Sequence, residues 1–131
     1  MEKKIAQGSI EFLILTGVIV LFLTLFFLAI QEGNAERFND EKRIYVQNVA
    51  FSIQDELNIA LKSSNGYMRR FEIPEKILGL DYEAELTENV IYVKTFDGKH
   101  AIALPITNVT GQIVKGTNLI KKENNTVFIN P

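Results

Sequence analysis

The residues most able to do chemistry stand near the start of the chain, in the stretch QGSIEFLIL at residues 7–15. Glu11 lies there at the edge of an apolar run over residues 10–30, whose other polar side chains are two threonines. A carboxylate beside hydrocarbon is costly unless it reaches water or pairs with a charge. Two roles are therefore open to Glu11: an interfacial carboxylate that reaches headgroup water, or one member of an ion pair.

The other reactive side chains form no recognisable catalytic or metal-binding set. The chain has no cysteine, which excludes disulfides, thiolate metal sites and thiol nucleophiles. The single histidine, His100, stands beside a predicted hairpin turn, where an exposed or half-buried strand residue is the expected explanation. For Glu83, Glu85 and Glu88 we expect the solvated face of a strand. Because there is also no phosphate loop and no nucleophile motif, we expect no enzymatic activity, no cofactor and no metal.

The charge pattern gives no support for a nucleic-acid partner. The net charge is −2, and the lysines and arginines are scattered along the chain. Nucleic-acid-binding domains usually carry a basic stripe, often with interleaved aromatic residues. The sequence has neither feature.

The apolar run must be positioned by a helix, and its length suits a membrane. At 1.5 Å per residue, a helix over residues 10–30 is roughly 31 Å long, which matches the hydrocarbon core of a bilayer. A cleavable secretory signal has a shorter apolar core, so residues 7–31 are predicted to be a retained, membrane-spanning helix. Lys3 and Lys4 precede the run, whereas acidic residues dominate just after it. The positive-inside rule then places the N-terminus in the cytoplasm and the rest of the chain outside.

A second, amphipathic helix is predicted over residues 32–66. Its apolar stripe recurs first at a spacing of seven and then at spacings of four, which is helical: Phe38, Tyr45, Val49, Ile53, Leu57 and Leu61. Asn65-Gly66 supplies the stop, since glycine tolerates the left-handed cap conformation. The two predicted helices form either one continuous rod or two helices with a hinge at Gly33.

Residues 67–131 are predicted to form a small β-sheet head domain. Alternating and β-branched stretches predict four to six antiparallel strands, among them YEAELTE, NVIYVKTF, KHAIALPI and VFIN. Asp97-Gly98 is a strong signal for a two-residue hairpin, and PEKILG at residues 74–79 is expected to form a short turn of helix. A sheet this small needs a cover to be stable. The expected fold class is α+β, with the amphipathic helix packed on the sheet.

Two sequons lie in this head domain: Asn108-Val109-Thr110 and Asn124-Asn125-Thr126. Both are near predicted turns and in the part expected outside the cell. Two sequons can also arise by chance in a chain this rich in asparagine. N-glycosylation of Asn108 and Asn124 is therefore a hypothesis, which glycopeptide mapping tests.

The opening stretch acquires a meaning from its spacing. Gln7, Ser9, Glu11 and Leu15 follow a short charged leader, MEKKIA, and stand directly before the apolar helix. This arrangement resembles the class III signal peptide of archaeal type IV pilin-like proteins, with pattern Q-x-S-x-E-x-x-x-L, and all four specified positions match. In that family a prepilin peptidase cuts just before the glutamine, on the cytoplasmic side. The resemblance implies cleavage between Ala6 and Gln7, so that residues 1–6 are a leader peptide.

The same resemblance implies a structural role. Glu11 becomes the fifth residue of the mature chain, a position that the type IV pilin family links to subunit assembly. The implied partners are the prepilin peptidase, the pilus assembly machinery, and identical or related pilin subunits, with the membrane as host before assembly. The expected product is a subunit of an extracellular surface filament with its apolar helix in the core. The competing interpretation is a single-pass anchored protein that does not polymerise and whose small outer domain binds a ligand or a partner.

Physical chemistry gives Glu11 a reason to matter in such a filament. Cleavage creates a free α-amine at Gln7, one helical turn from the carboxylate, and the two groups can pair within one chain or between neighbours. A lone charge left near hydrocarbon costs several kcal/mol. Pairing is therefore best satisfied when an incoming helix stands at the correct height beside another.

Overall fold

The computed structural model describes residues 2–131 and divides the chain into two compact units, one ending at Asn39 and one running from Asp40 to Pro131. One helix, α1 (Glu2–Lys62), is the secondary structure of the first unit and the first element of the second. It continues through Gly33 without a break, so the alternative with two separate helices is wrong. The predicted fold class, a long apolar N-terminal helix and a small β domain in an α+β fold, is confirmed.

In the first unit, every described side chain is exposed. The large apolar residues of the run from residue 10 to residue 30 include Phe12 and Phe22, each 68% exposed. Among the described residues, α1 alone is long and apolar enough to cross a membrane.

In the second unit, seven strands follow the helix. They are β1 (Met68–Ile73), β2 (Tyr82–Thr87), β3 (Val90–Thr95), β4 (Ala101–Pro105), β5 (Val109–Gly111), β6 (Gly116–Glu123) and β7 (Thr126–Ile129). They form two sheets, with strand orders β1-β6-β7-β5 and β2-β3-β4. All pairs are antiparallel except β5 with β7, which is parallel. The expectation of four to six strands, all antiparallel, is therefore too simple.

The core of the second unit lies between the last turns of α1 and both sheets. Val49, Ile53 and Leu57 of the predicted stripe are buried, and Leu61 is half-buried. Phe38 and Tyr45, earlier in the same stripe, are each 48% exposed. Burial along the helix begins at Val46 and also includes Ala50 and Ala60. Each large side chain buried here contributes about 1.5–3 kcal/mol.

Two local predictions fail for reasons visible in the backbone. PEKILG forms a tight turn instead of a helix: Ile77 and Leu80 exchange two backbone hydrogen bonds of 2.9 Å, and both Leu78 and Gly79 between them have positive φ. The Asp97-Gly98 hairpin has four loop residues instead of two, because Thr95 N–H donates to the His100 carbonyl at 2.9 Å. Residues with positive φ suit tight hairpin turns. In PEKILG, the positive φ values of Leu78 and Gly79 therefore give a turn in place of the predicted helix.

The end of α1 is held by a buried lysine. Lys122 on β6 is 4% exposed, and its Nζ donates to the carbonyls of Leu61 and Ser63, the latter at 2.7 Å. The last four carbonyls of a helix lack partners within the helix, and a cation there also complements the helix dipole. Gly66, at φ 92°, follows as the predicted stop and donates its N–H to the Lys122 carbonyl at 2.8 Å.

Lys122→Met should lower the free energy of unfolding by about 2–4 kcal/mol, because two buried carbonyls lose their donor while the apolar stem is kept. Urea unfolding of the full chain in non-ionic detergent, followed by tyrosine fluorescence, measures the change. Lys121→Met is the matched control: that lysine is half-buried and pairs with Glu123 on the surface, so its loss should cost at most about 1 kcal/mol. Equal effects of the two changes would contradict the capping role.

Candidate functional site

Gln7 and Glu11, two polar residues of the motif, are in contact through their side chains. Gln7 Nε2 donates a hydrogen bond to Glu11 Oε1 at 3.4 Å, one turn along α1. A donor–acceptor distance of 3.4 Å is long for such a bond, so the carboxylate is free to exchange this partner for a stronger one. Residues four apart share a face of a helix, and Leu15 continues the same face one turn further on.

Ser9 lies away from this pair. It is two residues from both Gln7 and Glu11, and residues two apart do not face each other on a helix. The Ala6–Gln7 bond lies within α1, which starts at Glu2. The bond lies in the first turns of this exposed helix, where local unfolding costs little free energy.

In the apolar segment that follows the motif, one threonine hydroxyl is hydrogen-bonded within the helix. Thr24 Oγ1 donates to the Val20 carbonyl at 2.8 Å, which satisfies the hydroxyl within the helix itself. A Cβ added at Gly8, Gly17 or Gly33 would meet no heavy atom within 4 Å beyond the neighbouring helix backbone. The segment is therefore an apolar surface interrupted near its start by the Gln7–Glu11 pair.

Both sequon asparagines are exposed and lie in turns with positive φ. Asn108 has φ 56° and precedes β5, and Asn124 has φ 48° in the two-residue turn between β6 and β7. Asn125 completes that turn at φ 63°, and its N–H donates to Asn65 Oδ1 at 3.0 Å. Exposed turns suit an attached glycan sterically.

The remaining titratable residues that the sequence singled out lie as expected on exposed or half-buried positions. Glu83, Glu85 and Glu88 are exposed, and Glu83 pairs with Lys94 at 3.1 Å. His100 is half-buried beside β4, and its Nε2 has no hydrogen-bond partner among residues 2–131. Across these residues, no three His, Asp or Glu side chains cluster in a way that could hold a metal ion.

A groove that the sequence did not reveal lies in the second unit. One cavity of about 660 Å³ lies between residues 81–86 on one side and Gln112, Ile113 and Lys115 on the other, with Phe96 also in its lining. A second cavity of about 270 Å³ lies between residues 86–88 and residues 109–111. Leu86 lines both cavities, so together they follow the whole length of β2. We call this feature the β2–β5 groove.

Two asparagines, the buried Asn118 and the exposed Asn130, fix the loop that forms one wall of the β2–β5 groove. Asn118 is fully buried; its amide donates to the Val114 carbonyl at 2.7 Å, and its Oδ1 accepts from Val114 N–H at 2.8 Å. Asn130 Nδ2 donates both to Asn118 Oδ1 and to the Gln112 carbonyl, each at 2.9 Å. The loop is therefore a rigid wall. Neither asparagine was found from the sequence, because the partners are carbonyls and amides that carry no sequence signal.

At one end of this groove, Lys115 pairs with Asp81 and stands over the Tyr82 ring, 5.2 Å from its centroid. The hydrogen bond and charge of Lys115 lower the pKa of the Asp81 carboxyl. Tyr82 is 1% exposed and donates its hydroxyl hydrogen to the Pro74 carbonyl. Burial, with a smaller contribution from Glu75, raises the pKa of the Tyr82 phenol to about 12.

Tyr82 should make the stability of the second unit depend on alkaline pH. Its folded pKa of about 12 is above the unfolded value near 10, so its contribution is complete below pH 10 and is lost as the pH rises to 12. The difference in unfolding free energy between the parent chain and Tyr82→Phe should therefore shrink over that range. Urea unfolding at stepped pH measures it, with Tyr45→Phe, at an exposed tyrosine, as the control. A difference that stays constant from pH 8 to 12 would refute this.

No protein-family model, curated protein or solved structure matches this chain. Any function assigned to it rests on its own residues. Two features carry chemistry: the Gln7–Glu11 pair before the apolar helix, and the β2–β5 groove.

Proposed function

We propose that this chain is a structural subunit of an archaeal type IV pilus-like surface filament. A prepilin peptidase cleaves it between Ala6 and Gln7, and the new N-terminal helix then assembles with identical or related subunits. The observation that carries the proposal is the set Gln7, Ser9, Glu11 and Leu15, spaced as in a class III signal peptide and standing directly before an apolar helix.

The state of the apolar segment supports assembly. Its large side chains are mostly 43–68% exposed, with Phe12, Phe22 and Leu13 at the upper end. Apolar surface on this scale is stable only in lipid or against other apolar surface. A pilin-like subunit uses both environments in turn: the bilayer before assembly and the filament core after it.

The Gln7–Glu11 contact supports the proposed chemistry. Across residues 2–131 the Glu11 carboxylate accepts one hydrogen bond, the long one from the Gln7 amide. Cleavage would add a positive α-amine at Gln7 and remove Lys3 and Lys4, so that Glu11 gains a charged partner at the same end of the helix. The pair would then set the height at which one helix packs beside the next.

In this proposal the chain starts with its N-terminus in the cytoplasm and the second unit outside. The head domain would form the outer surface of the filament. The exposed turns that carry Asn108 and Asn124 are accessible there, so glycosylation of both stays a prediction. Glycopeptide mapping of the exported protein in which both asparagines are bare would reject it.

The mature N-terminus tests the proposal most directly. Intact mass and N-terminal peptide mapping of the protein from its own cells should show a chain that starts at Gln7, as glutamine or as its pyroglutamate. A chain that still begins at Met1 would refute processing, and one that begins near Glu36 would show that the apolar run is a secretory signal.

A second candidate is favoured by one observation, the β2–β5 groove. A membrane-anchored protein that does not polymerise would use its outer domain to bind a partner, and a groove serves that purpose. The mature N-terminus also distinguishes the two candidate functions, because an anchored binding protein keeps its N-terminal lysines.

A further inference from the structure

The β2–β5 groove lies between two unpaired sheet edges. β2 is an edge strand of the three-stranded sheet, and β5 is an edge strand of the four-stranded sheet. Residues 81–86 face the loop after β5, and residues 86–88 face β5 itself. The two walls therefore run in opposite directions along one continuous groove.

On the β2 side, alternate residues present their backbone groups to the groove. The Phe96 N–H donates to the Asp81 carbonyl at 3.0 Å, which fixes the alternation of the β2–β3 ladder. In an antiparallel pair, every second residue bonds to the partner strand and the next points its N–H and C=O away. On β2, the backbone N–H and C=O groups of Ala84 and Leu86 point away from β3. Among residues 2–131 these outward groups have no hydrogen-bond partner.

At the Tyr82 end of β2, the outward backbone N–H already has a partner. The Tyr82 N–H, which also points away from β3, is taken by Asp81 Oδ1 at 3.2 Å. On the opposite wall, Val127 N–H donates to the Asn108 carbonyl at 3.0 Å. In a parallel pair, a residue bonds to the two residues on either side of its partner, here Asn108 and Thr110. The N–H and C=O of Val109 therefore point away from β7 and towards the groove. The open donors and acceptors are therefore concentrated in the middle of the groove.

We propose that the β2–β5 groove binds an extended peptide segment of a partner protein, which adds a strand that joins the two sheets. Exposed sheet edges are templates for strand addition, and proteins normally cover or blunt them. Here Lys115 covers only the Tyr82 end of β2. The proposal goes beyond filament assembly and does not depend on it, because every residue it uses lies in the second unit.

Side chains on either side of β2 define the peptide that fits. Glu85 is exposed on the outer face and forms no ion pair among the described residues, and Glu88 at the end of the strand is also exposed. Opposite charges directly across neighbouring strands stabilise a sheet. On the inner face, Leu86 and Ile113 present apolar surface. The fitting segment therefore alternates basic residues, facing outward, with apolar residues, facing inward.

A second copy of the chain does not supply such a segment. Residues 2–62 are helical, and the strands with an open edge are β1 (MRRFEI), β2 (YEAELT), β4 (AIALP) and β5 (VTG). None of these four strands alternates basic with apolar residues. The occupant is therefore a different protein with an extended basic–apolar stretch.

The test uses the full chain in non-ionic detergent and a labelled peptide, acetyl-Lys-Val-Lys-Ile-Lys-Val-Lys-amide. Fluorescence anisotropy should show saturable binding, and hydrogen exchange followed by NMR should show new protection at the amides of Ala84 and Leu86. A peptide of the same composition with its lysines clustered at one end should bind at least several-fold more weakly. Equal binding of the two peptides would show simple charge attraction and would overturn the proposal.

Paired variants locate the binding. Ala84→Pro removes one N–H that points into the groove while the β2–β3 bonds remain, and proline is tolerated at such edge positions. It should weaken binding by about tenfold, the effect expected of one lost hydrogen bond plus local misfit. Ala103→Pro makes the matched change on the outward edge of β4, the far side of the same sheet, and should leave binding unchanged.

Charge reversal gives a second pair that does not depend on backbone change. Glu85→Lys should weaken peptide binding several-fold, whereas Asp55→Lys, at an exposed position on α1, should not. Equal losses in Ala84→Pro and Ala103→Pro, or protection absent from Ala84 and Leu86 in the bound state, would overturn the proposal. Concentration-dependent protection of these amides without peptide would also overturn it, in favour of a second copy as the occupant.

Discussion

Glu11→Ala should leave membrane insertion intact and abolish incorporation of the chain into filaments. In the proposed filament, the change would remove the carboxylate that pairs with the α-amine created at Gln7, and an unpaired charge near hydrocarbon costs about 3–5 kcal/mol. A penalty of this size lowers the incorporation of a subunit by a factor of roughly a hundred or more. The measurement is the share of the protein in sheared filaments against the share in the membrane fraction.

Two further variants separate the charge of Glu11 from its other properties. Glu11→Gln keeps the size and hydrogen-bonding capacity of the side chain and should fail like Glu11→Ala. Glu32→Ala removes an exposed carboxylate at the other end of the apolar segment and should assemble normally. Normal filaments from Glu11→Ala would refute the pairing mechanism. If the chain is instead a simple membrane anchor, the change should slightly improve membrane insertion and have no other effect.

Gly111→Ala should destabilise the second unit by about 4 kcal/mol, a large part of the stability of a domain of this size. Gly111 has φ 127°, and a Cβ there would overlap the carbonyl oxygen of Ile129 and approach the Ile129 carbonyl carbon and nitrogen at 2.9 Å. These atoms belong to the β5–β7 backbone and have nowhere to move. The melting temperature should fall by roughly 15–30 °C, as followed by tyrosine fluorescence.

Gly98→Ala provides the matched control for this effect. Gly98 also has positive φ, at 71°, but a Cβ added there would meet nothing within 4 Å. Its substitution should cost only the backbone strain of about 1–2 kcal/mol. Similar losses in the two variants would show that φ alone, and not the contact with β7, makes Gly111 necessary.

The parts of the fold that follow from local pattern were predictable. The apolar run, the helical spacing of Val49, Ile53 and Leu57, and the β-branched stretch of β3 each carry their own signal in neighbouring residues. β1 escaped notice because the strand buries just Phe71 and Ile73, while its adjacent arginines break the alternation. The parallel pairing of β5 with β7 was also missed, since three residues of β5 are too few to show a pattern.

The candidate site divides in the same way. Gln7 and Glu11 are four residues apart, so helical geometry alone predicts their contact, and the structure places them together. Exposure of Phe38 and Tyr45 was not predictable from spacing, because it depends on where the sheets begin to cover the helix. The β2–β5 groove arises from two sheet edges that are distant in sequence, and no local signal marks it.

The buried ammonium of Lys122 has a consequence for the order in which this chain folds. The carbonyls that it caps, at Leu61 and Ser63, are made about sixty residues earlier in synthesis. Until β6 has emerged, the last turn of α1 lacks its cap, and the residues that line its buried face have no sheet to cover them. The C-terminal half of the helix therefore completes its structure late, together with the final strands. Until then it is a partly ordered apolar segment, and this is the stage at which the chain is most exposed to proteolysis and aggregation.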